Sequence, residues 1–201
     1  MSASPHARDR AISIARTDFV KALDLARKVS NPWFRCQALA WVARFGPEGE
    51  VTRIAEEAVE AANKCDDAFQ KVAALSWPVR ALVERDRRRQ AESIVAVALT
   101  RVAEVRHPVC RADALFLLIQ AAWSLPKGLR GSLVSALRGA CRDAKSWRTG
   151  RMLYTVALFV SVEDNRLARE IITSLPEGRL RRKGERDLAE GRFETPRAFF
   201  D

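Results

Sequence analysis

The chain has 201 residues, 48% of them hydrophobic and 30% charged, with 35 Lys+Arg against 25 Asp+Glu for a formal net charge of +10. Nine glycines and eight prolines stand against 32 alanines, a balance that favours helices and disfavours turn-dense β architecture and disorder. At this length one domain with a sizeable core is expected.

From the N-terminus, Met1 to Arg16 holds Arg8, Asp9 and Arg10 and no apolar block of signal-peptide length, so secretory export by that route is not implied. Residues 1–10 are expected to form a tail, residues 11–178 a repeat domain, and residues 179–201 a cap followed by a second tail. The longest nearly apolar stretches, Ala114 to Leu125 and Met152 to Val162, fall short of the about 20 residues a membrane span needs, and read as buried helices. Cysteines stand singly at 36, 65, 110 and 141, with two histidines in the whole chain. No CxxC pair completes a zinc set, and small half-buried thiols in a reduced, cytoplasmic protein are expected.

Self-similarity organises the middle of the chain. The segment Asn31-Pro32-Trp33-Phe34-Arg35-Cys36-Gln37-Ala38-Leu39 superposes on residues 67–75, which end Lys71-Val72-Ala73-Ala74-Leu75, and on residues 107–115, which end Arg111-Ala112-Asp113-Ala114-Leu115. In a weaker fourth copy, Tyr154 and Thr155 follow Arg151 where the others carry Ala-Leu. The cations Arg35, Lys71, Arg111 and Arg151 are 36, 40 and 40 residues apart, the size of two helices and a turn. Helices are therefore expected at 11–29, 32–45, 50–65, 68–85, 88–106, 108–125, 129–145, 147–161 and 164–175, with Pro78 kinking the fourth. Ile94-Val95-Ala96-Val97 is rich enough in β-branched residues to suggest a strand, but the repeat frame places it in a helix.

The pattern Ala22-Leu23-x-Leu25-Ala26-Arg27, then Asn31-Pro32-Trp33-x-Arg35-x-x-Ala38-Leu39-Ala40-x-Val42-Ala43, resembles the tandem helical hairpins of bacterial α-solenoids of the TPR-like and HEAT-like kind, over about residues 11–175. The resemblance implies an all-α fold, a right-handed α-solenoid of about four to five stacked antiparallel helix pairs, and a protein-binding scaffold. It names no partner. Alanines would let the helices approach closely, and stacking would join their apolar stripes into one core.

Charge is unevenly placed. Successive blocks of fifty carry +3, 0 and +6, and the last block +1. On the helix expected at 129–145, Leu129, Leu133, Ala136, Leu137, Ala140 and Ala144 share one side of the wheel, while Arg138, Arg142 and Lys145 share the other. With Arg130, Arg148 and Arg151 near its ends, this makes the candidate surface for an anion or an acidic partner. The alternative use of these residues is an ordinary solvated face. Arg85, Arg87, Arg88 and Arg89 form a second basic run, expected as a solvated turn. The repeated cations are expected to bond the carbonyls that end the preceding helix. Trp33, Trp41, Trp77 and Trp147 are expected to pack between hairpins.

Neither His6 nor His107 has a nucleophile at a recognisable spacing, and no dinucleotide, P-loop, HExxH or EF-hand motif is present. Glu56-Glu57, Asp66-Asp67 and Glu163-Asp164 read as helix-start or surface charge. No cofactor, metal or catalytic residue is expected, and the leading expectation is a non-enzymatic scaffold for protein–protein interaction. A nucleic-acid-binding solenoid that uses the basic face is the alternative, and a HEAT-like DNA glycosylase, by fold analogy alone, a third. Phe193, Phe199 and Phe200 are expected to dock on the last hairpin or on a partner.

Overall fold

A computed structural model describes residues 4–144 and 146–196, so Lys145, Phe199 and Phe200 lie outside the described residues. Among those described the protein is all-α. The helices are α1 (Ser4–Ile14), α2 (Phe19–Arg27), α3 (Pro32–Phe45), α4 (Val51–Asn63), α5 (Ala68–Ala74), α6 (Ser76–Glu84), α7 (Arg88–Arg101), α8 (Pro108–Ala121), α9 (Lys127–Ala144), α10 (Trp147–Val160), α11 (Asn165–Thr173) and α12 (Arg179–Ala189). Short 3-10 turns precede α4 at Glu48–Glu50 and follow α7 at Val102–Glu104.

Local chemistry explains most boundaries. Pro32 and Pro108 occupy the first turns of α3 and α8, where a missing N–H costs nothing. Side chains of Asn31, Asp67 and Asp164 accept from the backbone N–H of Phe34, Gln70 and Leu167 at 3.2, 2.8 and 2.9 Å, so two of the sequence's acidic pairs supply helix caps. The stretch Ile94–Val97 is helical within α7, as the repeat frame requires.

Two expectations are corrected and a third is met. Residues 1–10 are not a tail as far as they are described: α1 begins at Ser4, buries Ala11, and places Arg8 within 2.9 Å of the Gln37 amide oxygen and 5.2 Å from the Phe34 ring centre. The helix expected at 11–29 is divided, because Asp18 leaves the helical conformation and accepts from Lys21 N–H to start α2. The interruption expected from Pro78 is present: the helix expected at 68–85 divides at Leu75 into α5 and α6, in the turn before the proline, where its missing N–H and its ring disturb the bond back to Ala74. There Ser76 Oγ donates to the Ala73 carbonyl at 2.6 Å.

Among the described residues α3 packs on α1 and α6, α6 on α8, α8 on α10, and α10 on α12. Each of α3, α6, α8 and α10 also packs on the helix that follows it in the chain: α3 on α4, α6 on α7, α8 on α9, α10 on α11. Short connections make these neighbours antiparallel. The arrangement is compatible with a helical repeat, and α12 covers the last pair. Its close approach needs Gly184, where a Cβ would lie 2.6 Å from Ile172 Cδ1. One continuous core runs through these helices and buries Leu39, Ile54, Leu75, Leu82, Leu115, Leu118, Leu137 and Ile171. Each such side chain contributes about 1.5–3 kcal/mol through burial.

Candidate functional site: a cationic cleft between α9, α10 and α12

The repeated cations divide by position. Arg35 Nε donates to the Val29 carbonyl at 2.6 Å and its Nη2 to the Ser30 carbonyl at 3.1 Å, and Arg111 Nε donates to the Val105 carbonyl at 3.0 Å. These two hold the end of the preceding segment, as expected from dipole and capping chemistry. Lys71 is half-buried at the equivalent place in α5. Arg151 differs: it is exposed, lines a cleft, and lies 6.0 Å from the Trp147 ring centre.

That cleft has a volume of about 1150 Å³ and opens where the C-terminal half of α9 meets the starts of α10 and α12. Leu153, Leu175, Pro176 and Leu180 give it apolar walls, and among the described residues Arg138, Arg142, Arg151, Arg179 and Lys183 give it five cations against one carboxylate, Glu177. Gly178 turns the chain into α12 at a φ of 155°, a value that side-chain-bearing residues rarely adopt. No side chain caps α12, and its first residues, Arg179 and Leu180, line the same space. At the start of α10, Gly150 leaves room for Leu180 Cδ2, which would sit 3.4 Å from a Cβ there.

The six residues expected to form the surface are not one patch. Arg138, Arg142 and Arg151 line the cleft together. Arg130 is withdrawn from it: its side chain is 15% exposed, its guanidinium donates to both Glu163 carboxylate oxygens at 2.7 and 2.9 Å, and it lies 5.0 Å from the Trp123 ring centre. This fork holds the Glu163 carboxyl below the usual carboxylate range. Arg148 faces Asp113 on α8, Nε to Oδ1 at 3.4 Å, and burial raises the Asp113 carboxyl against the opposing pull of Arg148. Lys145 is outside the described residues. Three of the four arginines of the second basic run are paired locally: Arg85 and Arg87 share Glu48, and Arg88 meets Asp86.

Tryptophan use also departs from expectation at one position. Trp33 stacks on Phe69 with ring centres 6.4 Å apart, and Trp41 lies 6.2 Å from Phe45. Trp147 is 74% exposed at the cleft. Beyond α12, Phe193 is 61% exposed, while the neighbouring Glu194 N–H donates to the Leu158 carbonyl of α10 at 3.4 Å.

Beneath the cleft lies a group that the sequence reading missed. Tyr154 Oη donates to Asp187 Oδ2 at 2.6 Å, and Lys183 Nζ donates to the same oxygen at 2.8 Å and to Tyr154 Oη. Asp187 is 1% exposed, and its Oδ1 accepts no hydrogen bond among the described residues while facing Arg192 Nη1 at 3.5 Å. Hydrogen bonds from Lys183 and Tyr154 hold the Asp187 carboxyl below its ordinary range. The bonds to Asp187 and Tyr154 raise Lys183, and burial, then the bond to Asp187, raises the Tyr154 phenol. The trio is therefore a lysine–aspartate ion pair with a neutral phenol, and it ties α12 to α10. The sequence held one signal for it: Tyr154, the single tyrosine of the chain, replaces the repeat's alanine.

The cleft's one thiol, Cys141, is buried and pushed up to about 12, chiefly by burial, which leaves it a thiol rather than a nucleophile. Among the described residues no group of three or more His, Cys, Asp or Glu could hold a metal ion, and no helix is long and apolar enough to cross a membrane. Compared with protein-family models, with curated proteins and with solved structures, the chain matches none.

Proposed function

We propose that this protein is a non-enzymatic helical-repeat scaffold, a right-handed α-solenoid of about four to five stacked helix pairs, which holds another protein by an acidic segment laid in the cleft between α9, α10 and α12. The observation that carries the reading is the charge of that cleft: five cations and an exposed Trp147 against the single carboxylate of Glu177. Most other arginines with a partner are spent on carboxylates or carbonyls of the protein itself, as in Arg27–Glu57 at 2.7 Å and Arg44–Glu84 at 2.5 Å. The packing of each helix pair on the next supports the solenoid, and four free cysteines, three of them buried, suit a reducing compartment such as the cytoplasm.

A second reading, single-stranded nucleic acid as the ligand, is favoured by one observation, the Trp147 ring exposed beside Arg151, since bases stack on such platforms. Titration of the full chain with poly-L-glutamate and with single- and double-stranded oligonucleotides over a range of salt separates the two. The scaffold reading expects poly-L-glutamate to bind, to weaken with salt, and to be lost in Arg142→Glu/Arg151→Glu. Tighter binding of the single strand, with log affinity falling by about 0.7 per phosphate neutralised against log salt, would transfer the conclusion to nucleic acid.

A further inference from the structure

The kind of anion that the cleft suits follows from how its charges are left. Most arginine–carboxylate pairs of this protein are close, as in Arg27 to Glu57 at 2.7 Å, Arg85 to Glu48 at 2.6 Å and Arg130 to Glu163 at 2.7 Å. In the cleft the nearest acidic oxygen to Arg138 is that of Glu170, at 4.0 Å, and Arg142, Arg151 and Arg179 have no ion pair among the described residues. Lys183 is already matched by the buried Asp187. The charge without a close carboxylate is thus carried by four guanidiniums around one cavity, three of them unpaired among the described residues and Arg138 only at 4.0 Å from Glu170.

Guanidinium presents a planar fork of N–H donors and keeps its charge at any physiological pH. Four of them in one cavity repel one another until an anion enters. A peptide carboxylate brings one charge, and neighbouring carboxylates follow only at the spacing of successive residues. A phosphoryl group brings about −1.5 to −2 charges and three strong acceptor oxygens at a single point, and forked arginine donors match it geometrically. The apolar walls Leu153, Leu175, Pro176 and Leu180 leave room beside it for the carbon skeleton of the residues that flank it.

We infer that the anion selected by this cleft is a phosphorylated serine or threonine side chain in the partner's acidic segment, held by Arg138, Arg142, Arg151 and Arg179. The inference rests on the docking of an acidic segment proposed above and names what that segment must carry. Docking is then switched on by phosphorylation of the partner.

The test is fluorescence anisotropy with the full chain and one labelled acidic heptapeptide in three forms, with serine, glutamate or phosphoserine at its centre. Inorganic phosphate serves as competitor, and an oligothymidylate as a further ligand. The phosphoserine form is expected to bind about tenfold or more tighter than the glutamate form, to be displaced by phosphate, and to lose that advantage in Arg142→Glu/Arg151→Glu. Both substituted residues are exposed, so the variant keeps its fold, which its helical circular dichroism and melting temperature verify. Equal binding of all three peptides overturns the phosphoryl inference and leaves the docking of acidic segments standing. No peptide binding by the wild type beyond that of the variant overturns both. Phosphate binding without peptide binding overturns the partner-borne source in favour of a free phosphate ester. Oligothymidylate bound more tightly than the phosphopeptide overturns it in favour of nucleic acid.

Discussion

Replacing Asp187 by alanine removes the carboxylate that joins α12 to α10. Its Oδ2 accepts from Tyr154 Oη at 2.6 Å and from Lys183 Nζ at 2.8 Å. Without it the Tyr154 hydroxyl, on a buried residue, loses its acceptor, which costs about 1.5–3 kcal/mol for a hydrogen bond to a charged group. The Lys183 side chain is 44% exposed and regains water, so its share is under about 1 kcal/mol. Relief of Asp187's own desolvation offsets part of the loss, leaving a net destabilisation of about 2 kcal/mol. Urea denaturation at pH 7 followed by circular dichroism measures it, with Tyr154→Phe as the smaller perturbation because it leaves the lysine–aspartate pair. The pH dependence has a fixed sign. Asp187 has a lowered carboxyl pKa in the fold, so its contribution is present above the unfolded carboxylate pKa and is lost as pH falls through the folded one. Lys183 and Tyr154 are raised, so theirs is lost as pH rises through their folded values. The wild-type advantage over Asp187→Ala is therefore greatest between those limits and shrinks in acid. A variant within about 0.5 kcal/mol of wild type at pH 7, or a difference that grows in acid, would refute the reasoning.

Arg130→Ala should destabilise the fold by about 1–2 kcal/mol, because the fork on Glu163 and the contact over Trp123 both go. It should leave acidic-peptide affinity unchanged, and a binding loss comparable to that of Arg142→Glu would return Arg130 to the binding surface. Thiol chemistry gives a third check. Burial raises Cys36 well above the ordinary range, Cys65 to about 11 and Cys141 to about 12. At pH 8 a disulfide reagent such as 5,5′-dithiobis(2-nitrobenzoate) should therefore modify no more than the half-buried Cys110 promptly, and all four cysteines after unfolding in guanidinium chloride. Prompt modification of two or more in the native protein would contradict this burial.

Helix identity was legible because the determinants are local and repeated. The pair Asn31-Pro32 starts α3 and marks its boundary in the sequence, and the repeat frame alone assigned Ile94–Val97 to α7. An error arose where one side chain redirects the backbone within an otherwise helical composition, as Asp18 does between α1 and α2. The face of α9 was legible too, since a wheel sorts Leu133 and Leu137 from Arg142 without tertiary information. Proximity to that face was not. Arg130 is near Arg138 in sequence, but Glu163, 33 residues away, takes its charge. Arg179 and Lys183 enter the cleft from α12, which the sequence marks only as a cap. Trp147 sits at a helix start where packing was the simpler expectation, and its exposure depends on how α12 and the turn before it close around α10. Asp187 gave no periodic signal, because its partner Tyr154 belongs to another helix.

The most direct measurement is a nuclear magnetic resonance titration of the isotope-labelled full chain with the acidic heptapeptide, followed by the backbone amides and the Trp147 indole N–H. Docking in the cleft predicts saturable shifts confined to the Trp147 indole and to residues 135–153 and 174–183, with α1 to α7 unmoved. Shifts centred on Arg85–Arg89 or on the α1–α3 end, or none at Trp147 while the peptide binds, would place the partner elsewhere and contradict the role assigned to this cleft.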